Sequence, residues 1–198
     1  RVNQSVDNGN LTVFGGQTVV LTSDVDLQGV AWTPIGKNNT IAGTFDGGDH
    51  VISNLTVTGT EKSVGLFAST GRGMTIKNVR MNNVNIEGSD YAGAIVGKGL
   101  CARLENCHVD GGSITVNVLN NDGGAKAGGI VGYLTAQNVA HLKESSVKNM
   151  TIRAFRDVAG AVGMAQGTAC IIDDVLVENV TVIADRYIVA FFGLTAVM

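Results

Sequence analysis

The sequence predicts an all-β protein whose strands stack into a parallel β-helix, or β-solenoid. Apolar and polar residues alternate over residues 76–86, and a pair of asparagines, Asn82 and Asn83, interrupts the run. A short stretch of small and β-branched residues, closed by glycine, follows at 91–97. A period of two is typical of half-buried strands, and an asparagine pair predicts a corner between them. The apolar positions are Ile76, Val79, Met81, Val84 and Ile86.

The same two-part unit recurs along the chain. Residues 104–114, 142–152 and 172–182 repeat the alternation, and a glycine-closed run follows each of them. Measured at one shared position, the repeats lie 28, 35, 32 and 30 residues apart. Stacked-repeat proteins have this combination of a fixed core and variable loops, so we expect about six coils of 28–35 residues. The shared position is occupied by Gly65, Gly93, Gly128, Gly160 and Ala190.

Length and composition indicate one domain with a sizeable core. Of 198 residues, 44% are hydrophobic and 16% charged, and 27 glycines against one proline supply corners without interrupting strands. A formal net charge of −3 argues against nucleic acid as a partner, because phosphate backbones favour basic patches. Insertion into a membrane is not expected, since no apolar run reaches the roughly 18 residues that a spanning helix needs.

We divide the chain into an N-terminal lead-in or cap at residues 1–16 and one β-helix domain at 17–198. The start at Arg1 rather than at methionine suggests a mature or excised piece of a longer solenoid. Residues 17–27 predict a strand pair with an aspartate corner. Residues 46–48, which read Asp-Gly-Gly, predict a tight turn between strands.

Four runs in the first half of the chain form a recognisable series. They are Asp24-Val25-Asp26-Leu27, Trp32-Thr33-Pro34-Ile35-Gly36, Gly43-Thr44-Phe45-Asp46-Gly47-Gly48 and Val64-Gly65-Leu66-Phe67. In these runs the chain resembles the GLUG-repeat family, and the resemblance extends over about residues 17–193. It implies a right-handed parallel β-helix and a secreted or cell-surface bacterial protein, such as an adhesin or a non-catalytic part of an immunoglobulin A peptidase. It transfers no catalytic residue.

In-register stacking predicts columns of equivalent side chains along the solenoid. One column is a ladder of short polar residues at a corner, in which Glu144 stands out as different. Two outward columns alternate in charge over part of their length, which favours one register. The ladder comprises Asn54, Asn78, Asn106, Glu144 and Asp174. The outward columns comprise Ser53, Lys77, Glu105, Lys143 and Asp173, and Thr58, Asn82, Asp110, Lys148 and Glu178.

The carboxylates, histidines and cysteines that could act in catalysis or metal binding are better explained by structural roles. Carboxylate pairs occur at Asp24/Asp26, Asp46/Asp49 and Asp173/Asp174. We interpret them as turn and ladder residues; the alternatives are the active site of an enzyme that acts on acidic polysaccharides, or a calcium site. The three histidines occupy non-equivalent positions. We therefore expect no catalytic residue, no metal and no cofactor. The three cysteines, Cys101, Cys107 and Cys170, are expected to be free thiols, with Cys107 buried.

Binding residues are expected on loops and among the few aromatic side chains. The longest loop, 117–126, contains Asn120, Asn121 and Asp122, and variable loops on one edge of a solenoid commonly form its recognition surface. Trp32, Tyr91 and Tyr133 could stack on sugars or pack at strand ends. The expected partner is a glycan or a host surface protein.

Three functions are compatible with these features. The first is a non-enzymatic extracellular module, a rigid stalk or adhesin that presents loops to its partner. The second is a self-stacking filament subunit, because the apolar segment 187–198 would leave an exposed strand that favours end-to-end association through the C-terminal coil. The third is a polysaccharide lyase or hydrolase built on a β-helix.

Overall fold

The computed structural model describes residues 15–37, 40–117, 125–185 and 194–197. These residues form a parallel β-solenoid of about five turns and contain no helix. The predicted fold class is confirmed, but the turns number about five rather than six. The closing run that was assigned to a sixth coil, around Ala190, lies outside the described residues, as does most of the predicted cap at 1–16. The right-handed sense of the coil stays a prediction.

All the strand pairings described are parallel, and they form two sheets. One sheet has 13 strands, and the other has four in the order β14-β11-β8-β6. The strands are β1 (Thr18–Val20), β2 (Val25–Asp26), β3 (Ile41–Asp46), β4 (Val51–Ser53), β5 (Thr56–Val57), β6 (Ser63–Val64), β7 (Phe67–Gly88), β8 (Tyr91–Gly93), β9 (Val96–Leu100), β10 (Arg103–Val116), β11 (Lys126–Gly128), β12 (Val131–Ala136), β13 (Ala140–Ala154), β14 (Val158–Ala159), β15 (Val162–Gly167), β16 (Cys170–Ala184) and β17 (Leu194–Val197).

The predicted repeats stack in register along β7, β10, β13 and β16. Ile76 pairs with Leu104, which pairs with Leu142, and the same register holds across to β16. The side chains of this column fill the core through Leu142, and Val79 and Cys107 are completely buried in the next inward column. Burial of these stacked apolar side chains, together with the continuous parallel hydrogen bonding, holds the coils together.

Each long strand bends at two corners where residues adopt left-handed backbone conformations. Asn78 and Asn83 have φ of 53° in β7, and equivalent residues in β10, β13 and β16 also have positive φ. Asparagine tolerates this conformation better than other residues except glycine, which explains its frequency at these positions.

Asn54 lies in a different column from the one predicted. Ser53 pairs with Asn82 and Thr56 with Asn85, so Asn54 stands beside Asn83 rather than beside Asn78. Both corners of a coil carry asparagine after an apolar-polar pair, and the sequence pattern alone does not distinguish them. As a result Asp46, not Ser53, is the neighbour of Lys77, whereas the outward columns keep the predicted members from Lys77 and Asn82 onward.

Candidate ligand-binding site

Two tyrosines and two lysines from consecutive coils meet where the small sheet joins the large one. Tyr91 in β8 is in register with Lys126 in β11, and Lys98 in β9 is in register with Tyr133 in β12. Within each coil the two residues are seven positions apart, but their order is exchanged between the coils. Each tyrosine therefore faces the other diagonally, and the lysines occupy the other diagonal. We call these four residues the Tyr-Lys cluster.

The geometry of the Tyr-Lys cluster is that of a stacked ring pair held by cations. The rings of Tyr91 and Tyr133 stack with their centroids 5.3 Å apart and an interplanar angle of 29°. The Nζ atom of Lys98 lies 5.5 and 5.9 Å from the two centroids, and that of Lys126 lies 5.6 and 5.5 Å away. These distances are within the range of cation–π attraction, so the contacts fix the position of both rings.

The two lysines have different surroundings. Lys126 is only 6% exposed, and its Nζ atom lies 3.5 Å from the Asp157 carboxylate in the next coil. Lys98 is exposed, and no carboxylate forms an ion pair with it in the described part of the chain. Lys126 is therefore a structural cation, whereas the charge of Lys98 is available to solvent or to a ligand.

Both tyrosine hydroxyls are held in their neutral form. Burial, the nearby Asp90 carboxylate and Tyr133 raise the pKa of Tyr91 above 10.0. Burial raises the pKa of Tyr133 in the same direction, with a smaller contribution from Cys170. Neutral hydroxyls can donate and accept hydrogen bonds but do not offset the charge of Lys98.

A lateral groove of about 560 Å³ begins at this cluster and runs across the outer face of β9, β12 and β15. Its size is in the range of small-ligand sites. Its lining combines an aromatic ring, an aliphatic side chain, hydroxyls, amides and one ammonium group, and includes no carboxylate among the described residues. The lining residues are Thr40, Ser69, Thr70, Lys98, Leu100, Tyr133, Thr135, Ala136, Gln137, Gln166 and Gly167.

Hydrogen bonds within the lateral groove use mainly the acceptor atoms of its lining residues. The Tyr133 hydroxyl donates to Oε1 of Gln166, and Nη2 of Arg72, at the rim, donates to Oε1 of Gln137. The Thr135 hydroxyl donates to the carbonyl oxygen of Gly99 at 3.2 Å. The amide NH2 groups of both glutamines remain unbonded within the described residues. Besides hydroxyls, which can donate and accept, the lateral groove thus presents amide and ammonium donors.

The other predicted binding residues are not in this groove. Trp32 is partly buried, packs against the core and donates its indole N–H to the carbonyl oxygen of Leu66 at 3.2 Å. It lines a separate cavity of about 290 Å³ with Thr56 and Thr58. Asn120, Asn121 and Asp122 lie outside the described residues. The structure therefore brings together Tyr91 and Tyr133 and places Trp32 elsewhere.

The carboxylates weighed as catalytic candidates in the first half of the chain all hold turns or neighbouring coils. Asp24 accepts hydrogen bonds from the Val51 amide and from His50, and Asp26 accepts one from Asn54. Asp46 accepts from Asn78 first and from the Gly48 amide, and these bonds lower its pKa below 3.8. The described residues contain no group of three or more side chains that could hold a metal ion.

The predicted ladder forms over part of its length. Asn78 donates to Asp46 at 2.9 Å, and Asn106 donates to Asn78 at 2.9 Å. At the layer of Glu144 the pattern changes, because the Ser145 hydroxyl accepts the Cys107 amide at 3.1 Å instead. No side-chain hydrogen bond joins Asp174 to the ladder within the ranges that the structure describes. The three cysteines are free, and Cys107 is buried, as expected.

The sequence did not single out Lys98, Arg72, Gln137 or Gln166. A signal for Lys98 was present, because the exchange of tyrosine and lysine at 91/98 and 126/133 keeps the same spacing of seven residues in two coils. Gln137 directly follows β12, in a connection where periodicity gives no register. Gln166 lies in β15, in register with Thr135, and Arg72 lies in β7, but neither position repeats a residue type from coil to coil.

Comparisons with known proteins give one distant relationship. The chain is 30% identical over 149 residues to halomucin of Haloquadratum walsbyi, and the match covers 69% of the chain but 2% of halomucin. No solved structure matches the chain, and the described residues contain no helix long and apolar enough to cross a membrane. No family model matches it, so the likeness to the GLUG-repeat family depends on the residues quoted above. The chain is a β-solenoid that is distantly related to a small part of halomucin.

Proposed function

We propose that the chain is a non-catalytic module of a large extracellular protein, a rigid stalk or adhesin that binds a glycan in the lateral groove. The observation that carries this proposal is the composition of the groove. Tyr133 and Leu100 supply apolar surface for the C–H faces of a sugar, and hydroxyl and amide groups beside them can bond to its hydroxyls.

The extracellular location is supported by the two resemblances. The GLUG-like runs of the first half imply a secreted or surface-anchored protein, and the match to halomucin is to a small part of a far longer chain. A parallel solenoid suits a stalk, because each coil contacts only its neighbours and added coils lengthen the structure without changing its cross-section. A bacterial origin stays a prediction.

The absence of enzymatic activity is part of this proposal. Asp24, Asp26 and Asp46 are used in hydrogen bonds between coils, and each has a lowered pKa. A general acid needs the opposite shift so that it holds its proton near neutral pH. The lateral groove itself offers no carboxylate pair in its described lining.

Binding of the chain to an array of immobilised neutral and acidic glycans tests the proposal. Replacing Tyr133 by alanine removes the ring and the contact with Gln166, and we expect a loss of affinity of about tenfold or more for any glycan bound. Tyr133→Phe keeps the ring and should stay within a few-fold of wild type. Circular dichroism and thermal melting of each variant establish that it is folded.

Trp32→Phe is the matched aromatic control, because Trp32 packs on the core away from the lateral groove. This variant should lose stability through the missing bond to Leu66 while keeping glycan affinity. The proposal is wrong if no glycan binds the folded wild-type chain, or if Trp32→Phe weakens binding and Tyr133→Ala does not.

A further inference from the structure

Apart from hydroxyls, which both donate and accept, the polar side-chain groups that the lateral groove leaves free are donors. The carbonyl oxygens of Gln137 and Gln166 are engaged by Arg72 and Tyr133, which leaves both amide NH2 groups as donors. Lys98 adds an ammonium group that no described carboxylate neutralises. A ligand rich in acceptors, and best a negatively charged one, matches this set of donors.

The charge is local to the groove rather than a property of the whole protein. The chain has a formal net charge of −3, and most of its charged side chains that form ion pairs do so on other faces, such as Lys77 with Asp46 and Lys148 with Glu178. At the groove, Lys98 and the exposed Arg72 form no ion pair within the described residues. Lys98 therefore lines the groove and Arg72 lies at its rim, and neither has a carboxylate partner among the residues that the structure describes.

We propose that the lateral groove is selective for an acidic oligosaccharide, and that Lys98 and Arg72 pair with its carboxylate or sulfate groups. This inference rests on the proposed function, since it specifies the charge of the glycan. Arg72 can present a second N–H pair to a planar carboxylate while it keeps Gln137, and Lys98 is held by the rings of Tyr91 and Tyr133.

Isothermal titration calorimetry with defined ligands tests the selectivity. The probes are an oligogalacturonide hexamer, the same hexamer with its carboxyl groups reduced, a chondroitin sulfate hexasaccharide and a glutamate hexapeptide. We expect the carboxylated or the sulfated sugar to bind at least about tenfold more tightly than the reduced hexamer, and the difference to shrink at high salt. The chondroitin sulfate hexasaccharide carries both carboxylate and sulfate groups on another sugar backbone, so its binding tests whether the charge selection extends beyond galacturonate.

Matched variants test the assigned residues. Lys98→Gln and Arg72→Gln should each weaken binding of the acidic sugar about tenfold more than they weaken binding of the reduced hexamer. Lys62→Gln and Arg103→Gln remove the same charges from exposed residues that do not line the groove, and they should bind like wild type.

Several results would overturn the inference. Equal binding of the reduced and acidic hexamers would leave a glycan site without charge selection, so the proposed function would survive. Equal binding of the glutamate peptide would indicate an anion site that does not recognise sugar. Unchanged affinity in both Lys98→Gln and Arg72→Gln would refute the assigned residues. Failure of every saccharide to bind would remove the proposed function as well.

Discussion

The corner network around Asn78 and the lateral groove contain similar polar side chains but use them differently. At the corner, Asn78 donates to Asp46 and accepts from Asn106. Asn106 also accepts from His108 through its oxygen and donates to Asp49 through its NH2 group. In the groove, the amides of Gln137 and Gln166 have their oxygens bonded and their NH2 groups free. The corner network is saturated by its own neighbours, whereas the groove is not.

This difference separates stability from binding in a protein made of repeats. Side chains that bond to the equivalent residue in the next coil hold the register and have no capacity left for a ligand. Side chains whose coil-to-coil neighbours differ, as in the Tyr-Lys cluster, depart from the repeat and leave donors exposed. Substitutions in the two regions should accordingly affect different measurements.

The largest expected effect comes from a glycine in the second corner. Gly112 has φ of 117°, and a Cβ atom there would lie 2.0 Å from the carbonyl oxygen of Val84 in the preceding coil. Because backbone cannot yield as a side chain can, Gly112→Ala should cost more than about 3 kcal/mol of unfolding free energy or prevent folding. Urea unfolding followed by circular dichroism measures this cost.

The adjacent Gly111 is the matched control. Its φ is 80°, and a Cβ atom would meet nothing closer than the Asn83 amide nitrogen at 3.8 Å. Equivalent positions hold Asn83, Asn149 and Asn179. Gly111→Asn should therefore be neutral or stabilise by about 0.5 kcal/mol, because it reduces the freedom of the unfolded chain. A loss similar to that of Gly112→Ala would contradict the close-approach argument.

Two buried hydroxyls provide the next test, because one is bonded and the other is not. Ser145, which is 3% exposed, accepts the Cys107 amide and donates to the carbonyl oxygen of Lys143. Ser145→Ala leaves that amide unsatisfied and should cost about 1–3 kcal/mol. Thr70 is 1% exposed and its hydroxyl has no partner among the described residues, so Thr70→Val should gain about 1 kcal/mol of unfolding free energy.

Both variants can be measured in the same urea series, with the change in midpoint at constant slope as the readout. Opposite signs for Ser145→Ala and Thr70→Val would support the distinction between a bonded and an unbonded hydroxyl. A loss of stability in Thr70→Val would show that its hydroxyl has a partner, such as water. Ser145→Ala should not alter affinity measured at the lateral groove by more than a few-fold, because Ser145 is not among the residues that line it.

The strand core could be predicted from the sequence because its physical cause is local. Alternation of apolar residues at 76–86 and its repeats fixes which side chains face inward, and stacking then fixes the register of β7 with β10, β13 and β16. The first coil was misaligned because Asn54 and Asn78 follow similar residues, although they occupy different corners. Only the hydrogen bonds between coils distinguish the two positions.

The candidate site could be predicted only in part. Tyr91 and Tyr133 are 42 residues apart, and their contact depends on a diagonal reach between columns that periodicity does not encode. The donor excess of the lateral groove depends on which atom of each glutamine is already bonded, and this cannot be read from residue type. Sequence therefore indicated the aromatic residues but not the cations and amides beside them.

The smallest expected effect is on the pH dependence of stability. The hydrogen bonds from Asn78 and the Gly48 amide hold the pKa of Asp46 below 3.8, with Lys77 3.2 Å away. A carboxyl with a lowered pKa in the folded state contributes stability above its unfolded pKa and loses it as the pH falls through the folded value. Asp46→Asn should therefore be slightly less stable than wild type at pH 7 and lose less stability toward about pH 3.

Asp173→Asn removes an exposed carboxylate from the same outward column and controls for the change in net charge. The urea midpoints of the three proteins are measured across this pH range. If Asp46→Asn loses as much stability on acidification as wild type, the argument that the corner network is saturated is wrong.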